Sequence, residues 1–137
     1  MTTKNNFVKK ETIVLQKFVN RLLAIFQPLA VKQNSFIVNN ISDDLIVNTD
    51  PVLLATVLES LFHHAGQNQN SCMYLTAKTY NNVVLLRITG IKAFDDIKEI
   101  KDVQAFAETL GGCITLNTQT KNGNAIIFSF INFCQAA

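Results

Sequence analysis

The chain has 137 residues, which suits one domain and is short for two of ordinary size. Hydrophobic residues make up 48% of the sequence and charged residues 16%, so disorder caused by low apolar content is excluded. The formal net charge is +2 with no basic block, which argues against a nucleic-acid partner. We therefore expect one compact domain over residues 1–137.

Membrane insertion and secretion are also not expected. The longest apolar stretch, residues 12–31, contains Lys17, Arg21 and Pro28, whereas a spanning helix needs about 20 largely uncharged residues. The first residues lack the apolar core and small-residue cleavage site of a signal peptide. The cysteines are odd in number and far apart, which fits reduced thiols in a cytoplasmic protein: Cys72, Cys113 and Cys134.

Residues 11–31 have apolar residues at helical spacing and predict an amphipathic helix that ends at Pro28 or has its last, irregular turn there. The apolar stripe is wider than one core usually requires. Its excess is either ordinary core or the interface of a homodimer or of a partner helix.

Two short apolar runs follow, residues 35–41 and 45–49, and they predict two strands joined by a tight connection. Asp50-Pro51 then predicts a helix start, because aspartate at the N-cap accepts a backbone N–H bond and proline in the first turn loses none. We expect this helix to reach about Ala65 and to end at Gly66.

The second half of the sequence predicts two hairpins with a helix between them. Residues 72–80 and 82–89 flank Asn81-Asn82, a turn signal because asparagine tolerates positive φ. A charged segment leads into a short helix over residues 102–110, closed by Gly111-Gly112. The last hairpin is predicted from two apolar runs around a loop of about four residues: residues 113–120 and 125–133.

Segregated helices and largely antiparallel strands favour an α/β (α+β) two-layer sandwich. In it, a mixed, mostly antiparallel sheet is covered on one face by helices. The helix over residues 11–31 leads into a core over residues 35–133.

The stretch DPVLLATVLESLFHHA, residues 50–65, resembles the N-box helix of the ATP-binding domain of sensor histidine kinases. This is the GHKL, or histidine-kinase-like ATPase, fold. The usual form is D-x-x-x-L-x-Q-V-L-x-N-L-L-x-N-A, and the positions in register here are Asp50, Leu54, Val57, Leu58, Leu61 and Ala65.

Two further segments resemble the same family. Residues 106–130 are similar to its closing block, a helix ending in Gly-Gly, a strand, a turn and a phenylalanine-rich strand, with Glu108 at the usual glutamate. Residues 17–38 are similar to the stretch that leads from the dimerisation helices into the ATPase domain. The resemblance covers most of residues 15–133. It implies the histidine-kinase-like ATPase fold, with ATP and Mg²⁺ as the family's ligands.

The residues that perform chemistry in the family are replaced here. The N-box asparagine that coordinates Mg²⁺ matches His64, and imidazole is a poor substitute for an oxygen donor to this hard cation. The asparagine or glutamate four residues earlier matches Ser60, which cannot act as a base at neutral pH. Glu59 is adjacent but points elsewhere, because one helical step turns about 100°.

The adenine-binding D-x-G-x-G motif is also missing. Its aspartate matches Ile88 or Thr89, depending on the register around Gly90. The phosphate-loop glycines would fall at Ile97 and Glu99, where side chains block close approach to phosphate and the glutamate adds repulsion. Only about twelve residues separate Gly90 from the predicted short helix, so the lid is nearly absent.

Other chemistry has little support in the spacing of the residues. His63 and His64 are the only histidines in the sequence, so no phosphoacceptor histidine lies on an upstream helix. The spacing of the two histidines and the three cysteines does not match that of a metal site. We expect one partly buried and one solvated histidine. None of the three cysteines has the local sequence signature of a catalytic nucleophile. Gly90 and Gly111-Gly112 are either relics of phosphate binding or turn and helix-capping residues. The turn and capping roles explain these glycines fully.

These observations favour a degenerate ATPase domain without catalytic residue, cofactor or metal. Its altered nucleotide-site positions are Ser60, His64, Thr89, Gly90 and Glu99. Such a domain would act as a protein-interaction module in bacterial two-component-like signalling. The expected partner is a histidine kinase, a response regulator or, through helix 11–31, a second copy.

Two alternatives remain open. The first is a nucleotide-binding enzyme that uses ATP and Mg²⁺ with rearranged ligands. Ser60 and His64 would then lie near the phosphates, and the carboxylates would come from Asp95, Asp96, Glu99 or Asp102. The second is a switch subunit like the anti-sigma kinases of the same fold, which normally retain the asparagine and glycines that this chain lacks.

Overall fold

The computed structural model describes residues 9–92, 98–120 and 123–133, and for residues 98, 99, 119 and 120 only the backbone. The described residues form seven strands and three helices, in chain order β1 (Glu11–Val14), α1 (Leu15–Lys32), β2 (Phe36–Asn39), β3 (Ile46–Thr49), α2 (Pro51–Gly66), β4 (Cys72–Tyr80), β5 (Val83–Ile91), α3 (Lys98–Thr109), β6 (Cys113–Thr120) and β7 (Gly123–Ile131).

Five of the strands form one mixed sheet in the order β2-β4-β5-β7-β6. β2 lies parallel to β4, and the other neighbouring pairs are antiparallel. β1 and β3 form a separate antiparallel pair. The predicted two-layer sandwich with a mixed, mostly antiparallel sheet is confirmed.

The core lies between one face of this sheet and the helices. Along β5, Val84, Leu86 and Ile88 are fully buried, whereas Arg87 is exposed, because successive side chains of a strand point to opposite faces. We call the face that includes Arg87 the outer face. Helix α2 adds a nearly continuous buried surface to the core: Leu54, Val57, Leu58, Leu61 and Phe62.

The first predicted helix is wrong at its start, and its end at Lys32 agrees with the alternative in which Pro28 begins the last turn. Residues 11–14 form β1, because their backbone pairs with β3 from Glu11 opposite Thr49 to Val14 opposite Ile46. Pro28 does not end α1, which continues to Lys32. The proline is exposed and lies in the last turns, where the loss of one backbone hydrogen bond is tolerated. None of the described helices is long and apolar enough to cross a membrane.

The next two strands are confirmed, but they belong to different sheets. β2 pairs with β4, with Phe36 opposite Cys72, whereas β3 pairs with β1. Their short connection therefore links the main sheet to the two-stranded one.

Helix α2 forms as predicted. The Asp50 Oδ1 atom accepts hydrogen bonds from the backbone N–H groups of Val52 at 3.0 Å and Leu53 at 3.2 Å. Its Oδ2 atom accepts another from the Lys9 backbone at 3.0 Å, which ties the incoming chain to the helix start. The helix ends at Gly66, with Gln67 at its C-cap.

Both predicted hairpins are present, but the start of the helix between them and the turn of the second hairpin differ from the prediction. Asn81 has φ of 58° in the turn between β4 and β5, as expected. Helix α3 begins at Lys98, earlier than predicted, and β7 begins at Gly123, so the loop of about four residues is too long. Thr120 already pairs with Gly123 across the second turn.

Candidate functional site

The candidate site is built first from the last two turns of α2. Ser60 and His64 lie one helical turn apart and therefore on the same face, as the N-box resemblance requires. Ser60 is half-buried, and His64 is only 3% exposed. A histidine so deeply enclosed presents little imidazole surface to a ligand in solvent.

The neighbouring histidine faces α1. The His63 ring meets the Phe26 ring edge-on, with centroids 6.4 Å apart and planes at 73°. This contact explains why His63 is half-buried. The expectation of one partly buried and one solvated histidine is wrong, because His64 is buried and the contact with α1 leaves His63 half-buried. In the described residues, no three His, Cys, Asp or Glu side chains come together as a metal site.

The end of β5 forms the second part of the site. Ile88 is fully buried on the helix-covered face. Thr89 pairs with the exposed Tyr74 on the outer face, and its Oγ1 atom lies 3.5 Å from the Tyr74 carbonyl oxygen. Thr89 therefore points away from α2, and the structure does not bring it together with Ser60 and His64.

Gly90 is required by close packing of two strands. It has φ of 86°, and a Cβ atom at this position would lie 2.5 Å from the Cys72 carbonyl oxygen. The β5–β7 register also shifts between Ile88 and Ile91. Packing and conformation thus explain this glycine without a nucleotide.

The connection that would form a lid is shorter than predicted. β5 ends at Ile91 and α3 begins at Lys98, so the link is residues 92–97, about 20 Å when fully extended. Glu99 lies in the first turn of α3, but its side chain is outside the described residues, as are Asp95, Asp96 and Ile97. Asp102 is exposed on α3.

The closing Gly-Gly pair has structural roles. Gly111 has φ of 85°, and its N–H donates to the Glu108 carbonyl at 2.9 Å, which closes α3. A Cβ atom on Gly112 would lie 1.7 Å from the Ser129 carbonyl oxygen of β7. Gly111 thus has the capping role that the sequence indicates, whereas Gly112 is required by close packing against β7.

Asn68, just after α2, has a positioning role that the sequence did not reveal. Its Oδ1 atom accepts a hydrogen bond from the Lys92 backbone at 3.0 Å, and its carbonyl accepts one from Ser35 Oγ at 2.6 Å. It thus joins the end of α2 to the end of β5 and the start of β2. The polar sequence after α2 is like that of many loops, so the role of Asn68 is evident only from its hydrogen bonds to distant residues.

Two of the surface depressions in the described part of the molecule lie away from these positions. The larger, of 490 Å³, lies between the end of α1 and the starts of β2 and β4. The smaller, of 280 Å³, lies between α1 and β2. Beside the larger one, Cys72 hydrogen-bonds Tyr74, and this bond, with the charge of the ionised thiol, raises the pKa of the phenol.

Comparison with known proteins identifies the fold. No protein-family model and no curated protein matches the sequence. Among solved structures, histidine kinase AdeS of Acinetobacter baumannii gives a TM-score of 0.77 at 17% identity, over 91% of this chain and 68% of that one. The catalytic domain of histidine kinase ThkA, nucleotide-free, gives 0.77 at 16% identity, over 90% and 97%.

A histidine kinase from Burkholderia phymatum gives a TM-score of 0.74 at 12% identity, over 90% of this chain and 71% of that one. Identities this low establish fold rather than activity. The chain therefore has the fold of the catalytic, ATP-binding domain of histidine kinases.

Proposed function

We propose that this chain is a histidine-kinase-like ATPase domain that has lost ATP binding and kinase activity and acts by binding a protein partner in a two-component-like pathway. The observation that supports this most is the burial of His64, at 3% exposure, in the position where the family has its Mg²⁺-binding amide. A buried imidazole is a weak replacement for an accessible oxygen ligand to Mg²⁺.

The adenine side of the pocket supports the same proposal. The aspartate position corresponds to Ile88 or Thr89. The first is a fully buried apolar side chain, and the second points to the outer face of the sheet. In either register, no carboxylate is available there for the adenine amino group, and an amino group buried without a partner would cost about 1–3 kcal/mol.

The short link between β5 and α3 supports the loss of a third determinant. A lid excludes water and encloses the phosphates, and only the six residues 92–97 lie between the end of β5 and the start of α3. The core of the fold, by contrast, is intact, with Leu58, Leu61 and Phe62 fully buried. A kept core with a lost site is the pattern expected of a binding module.

A protein partner is supported by the fold's relatives and by the surface. ThkA has been solved in complex with the response regulator TrrA. In this chain, Ile25 is 64% and Val31 55% exposed on α1, which supplies apolar surface for a partner. We propose a histidine kinase, a response regulator or a second copy bound through α1 as the partner.

Isothermal titration calorimetry with ATP and ADP, with and without Mg²⁺, tests this function. We expect no saturable heat up to about millimolar nucleotide, where a site of even millimolar affinity would be half filled. A nucleotide-binding histidine kinase domain under the same conditions is the positive control. A magnesium-dependent micromolar affinity would instead favour the enzyme with rearranged ligands.

A further inference from the structure

The larger surface depression has exposed apolar side chains around it. It has a volume of 490 Å³, within the range of roughly 300–1,000 Å³ of ligand sites, and its lining includes Val31 and Phe36. Val31 is 55% and Phe36 51% exposed, and Tyr74, on the same outer face, is 43% exposed. Large apolar side chains grouped in this way usually mark a contact site.

The strand register makes this surface continuous. Phe36 lies opposite Cys72, and Val38 lies opposite Tyr74 in the parallel β2–β4 pair. Alternate residues of a strand share a face, so Phe36, Cys72 and Tyr74 are neighbours on the outer face. We call Val31, Phe36, Cys72 and Tyr74 the Phe36 surface.

The backbone beneath the Phe36 surface is held by a hydrogen-bond network. Asn34 Nδ2 donates to Asn70 Oδ1 at 2.8 Å, and the Ser71 N–H donates to Ser35 Oγ at 3.0 Å. The Phe36 N–H donates to the Ser71 carbonyl at 2.9 Å. A surface fixed before binding loses less conformational entropy when a partner docks.

Among the described residues, the two chain segments that form this surface have charged side chains of one sign. Residues 12–42 and 60–94 contain no aspartate or glutamate, and their basic residues are Lys17, Arg21, Lys32, Lys78, Arg87 and Lys92. The two segments are neighbours, because α1 packs on α2 and β2 pairs with β4. The described parts of these two segments therefore carry cationic side chains and no anionic ones.

Two of these cations flank the Phe36 surface. Exposed Lys32 follows Val31 at the end of α1. Exposed Arg87 lies opposite Thr76 on the outer face, two residue pairs along from Tyr74 and Thr89 and therefore next to them on the same face. A second copy docked here about a twofold axis would place like charges together, whereas an acidic partner would be attracted.

We propose that the Phe36 surface is a docking site for an acidic, apolar peptide segment of a partner protein. One apolar side chain of that segment enters the depression, and its flanking carboxylates contact Lys32 and Arg87. The inference rests on the protein-binding part of the proposed function and does not depend on the loss of ATP binding.

The test is a peptide selection with a built-in comparison. A phage-displayed peptide library is selected on the wild-type protein and counter-selected on Phe36→Ser. We expect enriched sequences with an apolar residue flanked by Asp or Glu. Enrichment of sequences without acidic residues, or no enrichment over the variant, would overturn the proposal.

The affinity of one enriched, synthesised peptide is then measured by fluorescence polarisation. We expect Phe36→Ser and Arg87→Glu each to weaken binding about tenfold or more, and added salt to weaken wild-type binding. Val52→Ser, at a 72% exposed position of α2 away from this surface, is the matched control and should bind as wild type does. Equal affinity of all variants would refute the docking site.

Folding and lipid binding are tested in the same series. Circular dichroism checks each variant, and Lys32→Glu, at an exposed helix-end position, tests the site if Phe36→Ser folds poorly. Binding to phosphatidylglycerol vesicles that requires Phe36 and Arg87, without peptide binding, would overturn the proposal in favour of a lipid surface. Nucleotide calorimetry on the same samples distinguishes failure of this inference from failure of the pseudo-ATPase proposal.

Discussion

Gln104 of α3 closes one edge of the main sheet. Its Nε2 atom donates to the Ile114 carbonyl at 3.2 Å, and the Ile114 N–H donates to its Oε1 atom at 2.8 Å. Ile114 lies in the edge strand β6, so this amide occupies two of the backbone groups that a further strand would use. Gln27 of α1 makes the same pair of bonds, both 2.9 Å, with Ile37 of the opposite edge strand β2.

Removal of the Gln104 amide should measurably destabilise the fold. Gln104→Leu keeps a side chain of similar size and removes both bonds, each of which contributes about 0.5–1.5 kcal/mol net. Water at the sheet edge replaces part of this loss, so we expect the free energy of unfolding to fall by about 1–2 kcal/mol. The open edge should also increase self-association at high concentration.

Urea unfolding and amide hydrogen exchange measure the two effects separately. The Ile114 amide should exchange at least about tenfold faster in Gln104→Leu than in wild type, because its acceptor is lost. Gln67→Leu, at an exposed glutamine just after α2, is the matched control and should change neither quantity. A Gln104→Leu protein within about 0.3 kcal/mol of wild type, with unchanged Ile114 exchange, would refute the reasoning.

Three further predictions follow from local geometry. Asp50→Ala removes the cap of α2 and should cost about 1–2 kcal/mol in urea unfolding, whereas Asp50→Asn, which keeps one oxygen, should cost less. Gly112→Ala places a Cβ atom 1.7 Å from a carbonyl oxygen and should lower the free energy of unfolding by about 3 kcal/mol or more. In Gly66→Ala the nearest atom to the new Cβ would be 3.4 Å away, so this control should be neutral or stabilising. Equal thermal stabilities of the two variants would contradict this prediction. Cys72→Ala should lower the pKa of Tyr74 in an absorbance titration, in a background without the other tyrosine, because the hydrogen bond and the thiolate charge that raise it are gone. By linkage, the raised pKa favours the folded state fully below about pH 10, the pKa of the unfolded chain, and this contribution is lost as pH rises through the higher pKa of the folded state. An unchanged Tyr74 titration in Cys72→Ala would show that the thiol does not contact the phenol.

Local chemistry made parts of the fold predictable. Asp50-Pro51 specifies a helix start without any distant contact, and Asn81 specifies a tight turn. In the same way, the spacing of four residues between Ser60 and His64 predicts that both lie on the same face of α2.

Features that depend on distant partners were not predictable from the same signals. β1 exists because residues 11–14 pair with β3, and their apolar pattern also fits the start of the following helix. The first turn of α3 lies in a charged segment whose composition fits a loop equally well. The face on which Thr89 lies depends on the pairing of β5 with β4, which places Thr89 opposite Tyr74 on the outer face.

The proposed loss of the nucleotide site in a kept fold is tested residue by residue by nuclear magnetic resonance. A ¹⁵N-labelled sample is titrated with Mg-ATP to about ten millimolar, well above the affinity of a working site. We expect no saturable shift at the amides of Ser60, His64, Thr89 and Gly90. Saturable shifts that group at these four amides, with a dissociation constant in the micromolar range, would contradict it.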